Sequence, residues 1–451
     1  MNLNKINTVY FIGIGGIGMS NLVRYLHLIG KKVLGYDKTE TPLTDALQSE
    51  GIFVRYTIDL NWVLQQNFDK DTTLIVFTPA VKQEEHKELD YFITNGFQVI
   101  KRSKLLGLVT KDTICLAVAG THGKTTTSTL LGHILKDANV PATSFLGGIS
   151  ENYHTNLIVG GATYSVVEAD EYDRSFLNLN PDYACITATD ADHLDIYSDA
   201  SDFEKTFKEF AALVSQKVIV RKGLHLKGQT FGIEEDSDYQ AKNIRVINGA
   251  FVFDVKTPTA AIENVTLNMP GRHNVLNAMA ALALADSIGV DLEKISNAIE
   301  SFKGVERRFS YRIKSENKVL IDDYAHHPTE LNALYNAVRE LYPDEKLTIV
   351  FQPHTFTRTR DFFEGFKRSL AQFDEIYLLP IYAAREHPLD GITSENLANE
   401  IQKINSNAHF INNDLAIETI KKNNNKIILM VGAGNIGEMV TEVVNELTNI
   451  K

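Results

Sequence analysis

Residues 113–127 read TICLAVAGTHGKTTT. An apolar run closes on Gly120, a short turn follows, and Lys124-Thr125 comes directly after Gly123. Six consecutive apolar residues, 114–119, before a glycine predict a strand buried on both faces, the kind found inside parallel sheets. The turn has the chemistry of a phosphate-binding loop. Backbone N–H groups of Gly120, Thr121, Gly123 and Thr126 can wrap phosphates, Lys124 can reach their oxygens, and the Thr125 hydroxyl can hold Mg²⁺. The strict pattern also wants a glycine where this chain has Val118. A nucleoside triphosphate site, with ATP and Mg²⁺, is the expectation.

Two other stretches repeat the strand, glycine turn and helix. TVYFIGIGGIGMS at 8–20 contains Gly13-x-Gly15-x-x-Gly18, and Asp37 ends the next apolar run, KKVLGYD. That spacing suits a dinucleotide-type fold in which glycines let the backbone approach a diphosphate and an acid meets a ribose. By itself the turn suggests NAD. Gly432-x-Gly434-x-x-Gly437 has no acidic residue at the matching distance before Lys451, so it reads as packing or as a backbone contact. The pattern alternates strand and helix throughout, which predicts an α/β class with parallel sheets. At roughly 100–200 residues per domain, the 451 residues divide into three. These are a Rossmann-like 1–107, a central phosphate-loop domain at 108–305 and a Rossmann-like 306–451 opening with the strand KVLIDDYAHHP.

Bulk properties narrow the function. The net charge of −12 argues against non-specific nucleic-acid binding. No uninterrupted apolar stretch approaches the ~18 residues of a membrane span, and the N-terminus lacks a signal-peptide pattern. A cytoplasmic enzyme, monomer or homodimer, is expected. Cys115 and Cys185 sit in apolar runs and read as buried thiols in a reducing compartment. KKNNNK at 421–426 reads as a polar surface turn.

Carboxylates and histidines gather at other strand ends. In YSVVEADEYD, Glu168 directly follows the apolar run and suits Mg²⁺, whereas Asp170, Glu171 and Asp173 read as solvating a loop. His193 lies among Asp190, Asp192 and Asp195 and reads as a metal ligand or acid/base. His326 and His327 are adjacent, so on extended backbone they point oppositely, and one of them is expected to position substrate. His354 and Arg358 form a basic group able to fork a carboxylate, while Arg360 reads as solvated. Asn274 and Asn277 share one face of a predicted helix.

GIGGIGMS, GTHGKTTT, EADEYDRSFL, DADHLDIY, GRHNVLNAMAA, GVERRF, DDYAHHPTE and FQPHTFTRTRD occur in that order. Together they resemble the Mur ligases over nearly the whole chain, and within them the alanine-adding members. The resemblance implies ATP-dependent joining of L-alanine to the lactyl carboxylate of UDP-N-acetylmuramic acid through an acyl phosphate. It also implies that the first domain binds a UDP sugar in place of a dinucleotide. By motif it assigns Gly15, Gly16, Gly18, Met19, Ser20 and Asp37 to the UDP site and His122 to the approach of the muramoyl group. Lys124 meets the transferring phosphoryl group, Thr125 and Glu168 hold one Mg²⁺, and His193 serves a second. His273 and Asn274 meet adenine, Arg308 and Asp323 contact ATP, His326 faces substrate, and His354 and Arg358 take the alanine carboxylate. Departures are Thr355 where Arg is common, Thr78-Pro79 where Ser-Ser is common, and Arg385 where glycine is usual. Competing expectations are the recycling ligase that adds a tripeptide, folylpolyglutamate synthase (which lacks the UDP domain), an NAD-dependent oxidoreductase and a non-enzymatic nucleotide switch. A dehydrogenase has no use for Lys124-Thr125.

Overall fold

A computed structural model describes residues 3–79, 81–190, 200–384 and 386–448. It is a mixed α/β structure with three sheets. The chain forms two compact units. The first comprises 1–243, 253–266 and 276–302; the second comprises 244–252, 267–275 and 303–451. Among the described residues, no helix is long and apolar enough to cross a membrane.

The first sheet lies wholly in the first unit. Its five strands are parallel, in the order Phe53–Arg55, Lys32–Tyr36, Thr8–Ile12, Thr73–Phe77, Gln98–Lys101. The order reverses beside Thr8–Ile12, and the glycine turn leaves the carboxyl end of that strand, where open α/β sheets bind ligands. The following helix, Ile17–Leu28, buries Met19, Leu22, Val23 and Leu26, the stripe of a helix lying on a sheet.

The second sheet has ten strands, with Ile114–Ala119 between Tyr183–Ile186 and Tyr164–Ala169, parallel to both. Cys115, Leu116, Ala117, Val118 and Ala119 are all fully buried, as a strand covered on both faces requires. The sheet is not wholly parallel, because Ala142–Ser150 pairs antiparallel with Thr155–Val159. One apolar core joins the first two sheets, running from Val9 and Leu22 to Phe145, Phe176 and Phe207. Asn156 Nδ2 donates to Ile17 O (2.7 Å) and Ser20 Oγ (2.8 Å), and Asn21 Nδ2 donates to Leu146 O (2.9 Å). Both cysteines are buried free thiols.

The third sheet has six strands in the order Ser310–Lys314, Val319–Asp323, Ile427–Val431, Leu347–Phe351, Glu375–Leu378, Ala408–Phe410. Its first strand is Ser310–Lys314, antiparallel to Val319–Asp323, so KVLIDDYAHHP is the second strand and not the opening one. SYRIK alternates in burial as an edge strand does, and that short pattern carries little sequence signal. The segment 421–426 is also more than a surface turn. Asn423 is buried, and its amide and that of Asn425 both donate to Glu375 Oε2, at 2.7 and 2.9 Å.

The first sheet contains one buried ionic group. Glu88 is inaccessible to solvent; its Oε1 accepts from Arg55 Nη2 (2.7 Å) and Asp59 N (2.7 Å), and its Oε2 from the Tyr10 hydroxyl (2.6 Å). Arg55 also lies 4.0 Å from the centroid of the Trp62 ring. Removing one partner strands the other's charge in the interior, which costs about 3–5 kcal/mol. Glu88→Ala is therefore expected to lower unfolding stability by about 3 kcal/mol or more in urea denaturation. A loss below about 1 kcal/mol would mean that the pair is no better than a surface ion pair.

Candidate active site

The phosphate-type turn is shaped by positions that admit no side chain. Gly120 has φ +128°, and a Cβ there would stand 2.2 Å from Thr187 Oγ1. Gly123 has φ +82° and caps the helix Lys124–Asp137; a Cβ on it would stand 2.3 Å from Asn277 Oδ1. No side chain caps this helix, so its first N–H groups present positive potential in the turn. The segment after the neighbouring strand clamps the loop. Thr121 N donates to Ala188 O (3.1 Å), Asp190 N to Thr121 Oγ1 (3.2 Å), and the Thr187 hydroxyl to the carbonyls of Ala119 and His122. His122 Nε2 lies 3.7 Å from Asp190 Oδ2. Thr125 and Thr126 are both buried in the first helical turn.

Lys124 is held inside this turn. Its ammonium donates to both oxygens of Glu171 at 2.8 Å and to Gly120 O at 2.6 Å. Burial by itself would lower its pKa, but Glu171, Asp170 and Glu168 outweigh burial and hold it above the ordinary lysine value. Glu171 thus departs from the expectation of a solvated loop residue. It is only 1% exposed and is the counter-charge of Lys124. Burial raises its carboxyl pKa against the pull of Lys124. Asp170 lies 3.6 Å from Arg102, and Asp173 pairs with Lys101 at 2.6 Å.

Glu168 sits on the strand beside Val118, and its carboxylate occupies space left by Gly147, where a Cβ would stand 2.1 Å from Oε2. Among the described residues, no group of three or more His, Cys, Asp and Glu is placed to hold a metal. His193, Asp192 and Asp195 lie outside the described residues.

In the first glycine turn, Gly13 has φ +86° and its N–H donates to Tyr36 O at 2.7 Å. Asp37 closes the turn, with Oδ2 accepting from Gly15 N (2.7 Å) and Oδ1 from Thr39 N (3.3 Å). Gly16 is exposed, Gly15 and Gly18 are half-buried, and Gly18 faces Arg102 Nη1. The side chains of Met19 and Ser20 point into the core, and the Ser20 hydroxyl donates to Ile17 O. Thr78, one of the departures, packs its methyl group on Gly13; Arg385 lies outside the described residues.

The second unit gathers another set. His326 Nδ1 lies 2.9 Å from Tyr324 O and 3.3 Å from Glu330 Oε2. Glu330 Oε1 lies 3.9 Å from Arg308 Nη1, and the Arg308 guanidinium lies 5.0 Å from the Tyr324 ring centroid. The His326 and His354 rings meet edge to face at 5.9 Å; His354 stacks on Tyr382 at 5.7 Å and faces Arg358 Nη1 at 3.5 Å. Burial, with His326 and Arg358, pushes His354 down to about 3. His327 has a different job. Its Nδ1 accepts from Thr329 N and caps the helix Pro328–Leu341, and its ring packs on Phe362. Arg360 is exposed and pairs with its neighbour Asp361.

Asp323 accepts from Phe309 N (2.7 Å) and Ala325 N (2.8 Å), while burial pushes its carboxyl up to about 6. His273 is pushed down to about 4 by burial, and Asn274 Nδ2 donates to Pro270 O at 2.7 Å. Asn277, one turn on, belongs to the first unit and its phosphate-type turn. The third glycine turn clasps an arginine. The carbonyls of Gly432 and Gly434 accept from Arg307 Nη2 at 2.6 and 3.3 Å, and a Cβ on Gly437 would collide with that guanidinium. Sequence reasoning took Glu171 for a solvated loop acid, noted Asn277 only as sharing a helix face with Asn274, and gave no role to Glu330 or Arg307.

Three family models match successive segments. They are the Mur ligase family catalytic domain at 8–113, the Mur ligase middle domain at 118–285 and the Mur ligase glutamate ligase domain at 307–434. The chain is 52% identical over 449 residues to the UDP-N-acetylmuramate–L-alanine ligase of Flavobacterium psychrophilum, covering 99% of each. It is 51% identical to that of Flavobacterium johnsoniae, covering 98% of each. Among solved structures, the UDP-N-acetylmuramate-alanine ligase of Thermotoga maritima superposes with a TM-score of 0.84 at 28% identity, covering 98% of this chain and 100% of that one. The murein peptide ligase of Psychrobacter arcticus shares the fold, with a TM-score of 0.71 at 22% identity, covering 98% of this chain and 99% of that one. With all three models matched in order and half of its positions shared with full-length relatives, the chain belongs to the Mur ligase family.

Proposed function

We propose that this protein joins L-alanine to the lactyl carboxylate of UDP-N-acetylmuramic acid, with conversion of ATP to ADP and phosphate, in the synthesis of peptidoglycan precursors. The observation that carries the reading is the 52% identity, end to end, with a UDP-N-acetylmuramate–L-alanine ligase. NAD chemistry is set aside with it: the first glycine turn serves a UDP sugar. The division at 107 and 305 into UDP-sugar, ATP and amino-acid domains, a cytoplasmic location and a monomeric or homodimeric state belong to the same proposal.

A carboxylate is a poor electrophile, and phosphorylation supplies the leaving group that an amine can displace. The protein contributes placement and charge neutralisation. Gly120, Gly123 and Thr126 offer backbone to the phosphates, while Thr121, whose N–H is held by Ala188 O, shapes the loop. Lys124, already charged, exchanges Glu171 for the phosphoryl group in transfer. Thr125 and Glu168 present oxygen donors of the sort a hard dication takes, and the space beside Gly147 accommodates the carboxylate. Mg²⁺ bound there would neutralise phosphate charge; His193 is assigned to a second ion on motif alone. His273 and Asn274 meet adenine, and Arg308 and Asp323 complete the ATP contacts. Gly15, Gly16, Gly18 and Asp37 hold the UDP sugar with Met19 and Ser20 supporting from the core, and His122 guides the muramoyl group. His326 faces the amino acid, whose carboxylate docks at His354 and Arg358. Thr355, in place of the common arginine, leaves Arg358 as the forked partner.

Phosphate release from ATP with UDP-N-acetylmuramic acid tests the reaction, with L-alanine, glycine, L-serine and the tripeptide L-Ala-D-Glu-diaminopimelate offered separately. L-alanine is expected to give the highest kcat/KM; release with the tripeptide alone would overturn the proposal. Lys124→Ala is expected to cut acyl-phosphate formation by at least about 100-fold, while calorimetry finds UDP-sugar affinity little changed. Equal loss of both would contradict the separation of roles. Asp37→Ala is expected to weaken UDP-sugar binding by about tenfold or more, the worth of one hydrogen bond to a charged group, with ATP affinity unaltered. An unchanged UDP-sugar dissociation constant would remove Asp37 from that site.

A further inference from the structure

An amino acid reaches an enzyme at neutral pH as an ammonium, which has no lone pair. Ligation therefore needs a proton acceptor beside the incoming amine, and the histidines of the second unit can be assigned by their partners. A carbonyl oxygen only accepts, so the 2.9 Å contact with Tyr324 O requires the proton of His326 on Nδ1 and leaves Nε2 with its lone pair. A guanidinium only donates, so Arg358 Nη1 facing His354 Nδ1 at 3.5 Å keeps that nitrogen bare and puts the His354 proton on Nε2. The two rings, 5.9 Å apart, thus hold opposite tautomers, one offering an acceptor and the other a donor. Behind His326 stands Glu330, with Oε2 3.3 Å from Nδ1. That oxygen is fixed by the backbone N–H groups of His326 (2.9 Å) and His327 (3.2 Å) at the start of a helix.

We propose that His326 Nε2, with its tautomer set by Tyr324 O, takes the proton from the ammonium of the incoming amino acid, and that Glu330 is the positioning residue that balances the imidazolium formed. The inference rests on the amino-acid site proposed above. One ammonium proton passes to Nε2, and the freed lone pair forms the C–N bond at the acyl phosphate carbonyl. The C–O bond to phosphate breaks with its electron pair, and the departing phosphate takes a second proton from nitrogen, leaving as hydrogen phosphate. His326 then returns its proton to solvent. The carboxylate–imidazole pair resembles the orienting arrangement used wherever an imidazole must become charged in mid-reaction. The charged and titratable groups facing His326 are Glu330, Arg308, Arg358, His354 and Tyr324, whose ring meets it edge-on at 5.4 Å. Burial lowers its pKa, Glu330 raises it, and Arg358 and Arg308 lower it further, so the ring is neutral and ready to accept at pH 7.

Two variants of the full chain test this, His326→Asn and Glu330→Gln; the latter keeps an oxygen for the helix-start hydrogen bonds. Each is assayed with ATP, Mg²⁺ and UDP-N-acetylmuramic acid against two acceptors: L-alanine, and hydroxylamine, an amine that is already neutral at pH 7. His326→Asn is expected to lower kcat/KM for L-alanine by about 100-fold or more, the usual worth of a general base, with hydroxylamine at high concentration restoring turnover as hydroxamate. In Glu330→Gln the carboxylate that raised the His326 pKa is gone. The acid limb of the kcat/KM profile for L-alanine should then move to lower pH by about 1 unit or more, and its plateau should fall. Equal loss with both acceptors in His326→Asn would overturn the proposal, making His326 a placement residue for the acyl phosphate. An unmoved acid limb in Glu330→Gln would overturn the part given to Glu330. Failure of the unsubstituted protein to turn over either acceptor would instead sink the proposed function beneath it.

Discussion

The phosphate-type turn depends on a steric constraint: two positions where a single methyl group would not fit. Gly120 is packed against Thr187 and Gly123 against Asn277, both with left-handed or otherwise glycine-only backbone. Those approaches bring the loop, the neighbouring strand end and a later helix together around Lys124. The ammonium is consequently surrounded by protein oxygens, its three N–H donors taken by Glu171 and Gly120. A fully buried carboxylate is costly unless paired, so Glu171 and Lys124 fix each other. Any phosphate that claimed Lys124 would have to replace Glu171 as its partner.

The second unit solves a different problem, holding several cations and two neutral histidines near one another without mutual expulsion. Glu330 faces both His326 and Arg308, and Asp322 faces Arg307 at 3.6 Å and Arg312 at 3.1 Å. Rings do the rest: the guanidinium groups of Arg307 and Arg308 lie 5.1 and 5.0 Å from the Tyr324 centroid. The C-terminal glycine turn is part of this arrangement, because its carbonyls accept from Arg307.

The fold was legible where burial on both faces turns a strand into an apolar run. ICLAVA, LTIVF and IILMV read as central parallel strands, and each leads into one of the motif segments. Edge strands such as Ser310–Lys314 were invisible because one face is wet and the run is short. Motif residues were legible for the same local reason, being set by spacing along one loop. Their partners were not. Glu171 looked like any acid in EADEYD until the fold laid it 2.8 Å from Lys124. Asn277 looked equivalent to Asn274 on the helix, yet the two amides serve different units. His326 and His327 could be separated only in principle, by alternation, and it took the helix start at Pro328 to decide which one became the cap.

Positive-φ positions are spread along the chain, and some of them lie in the second unit. Arg307, Phe309, Thr355 and Ala384 all have positive φ. That half of backbone space is crowded for any side chain, and a β-branched threonine is least at home there. Such conformations cost on the order of 1–3 kcal/mol each and persist where neighbours over-determine them. Those neighbours are visible. Asp323 holds the N–H of Phe309, and Thr355 donates its N–H to Tyr382 and receives Thr359 on its carbonyl. Asp323 itself is a strained choice, because burial raises its pKa from 3.8 to about 6. A carboxyl whose pKa rises on folding binds its proton more tightly in the folded state, so this group's contribution to stability falls as pH climbs from 3.8 to about 6. Asp323 takes the N–H of the positive-φ Phe309 on one oxygen and that of Ala325, in the turn into His326, on the other, and so ties two successive segments to one carboxylate.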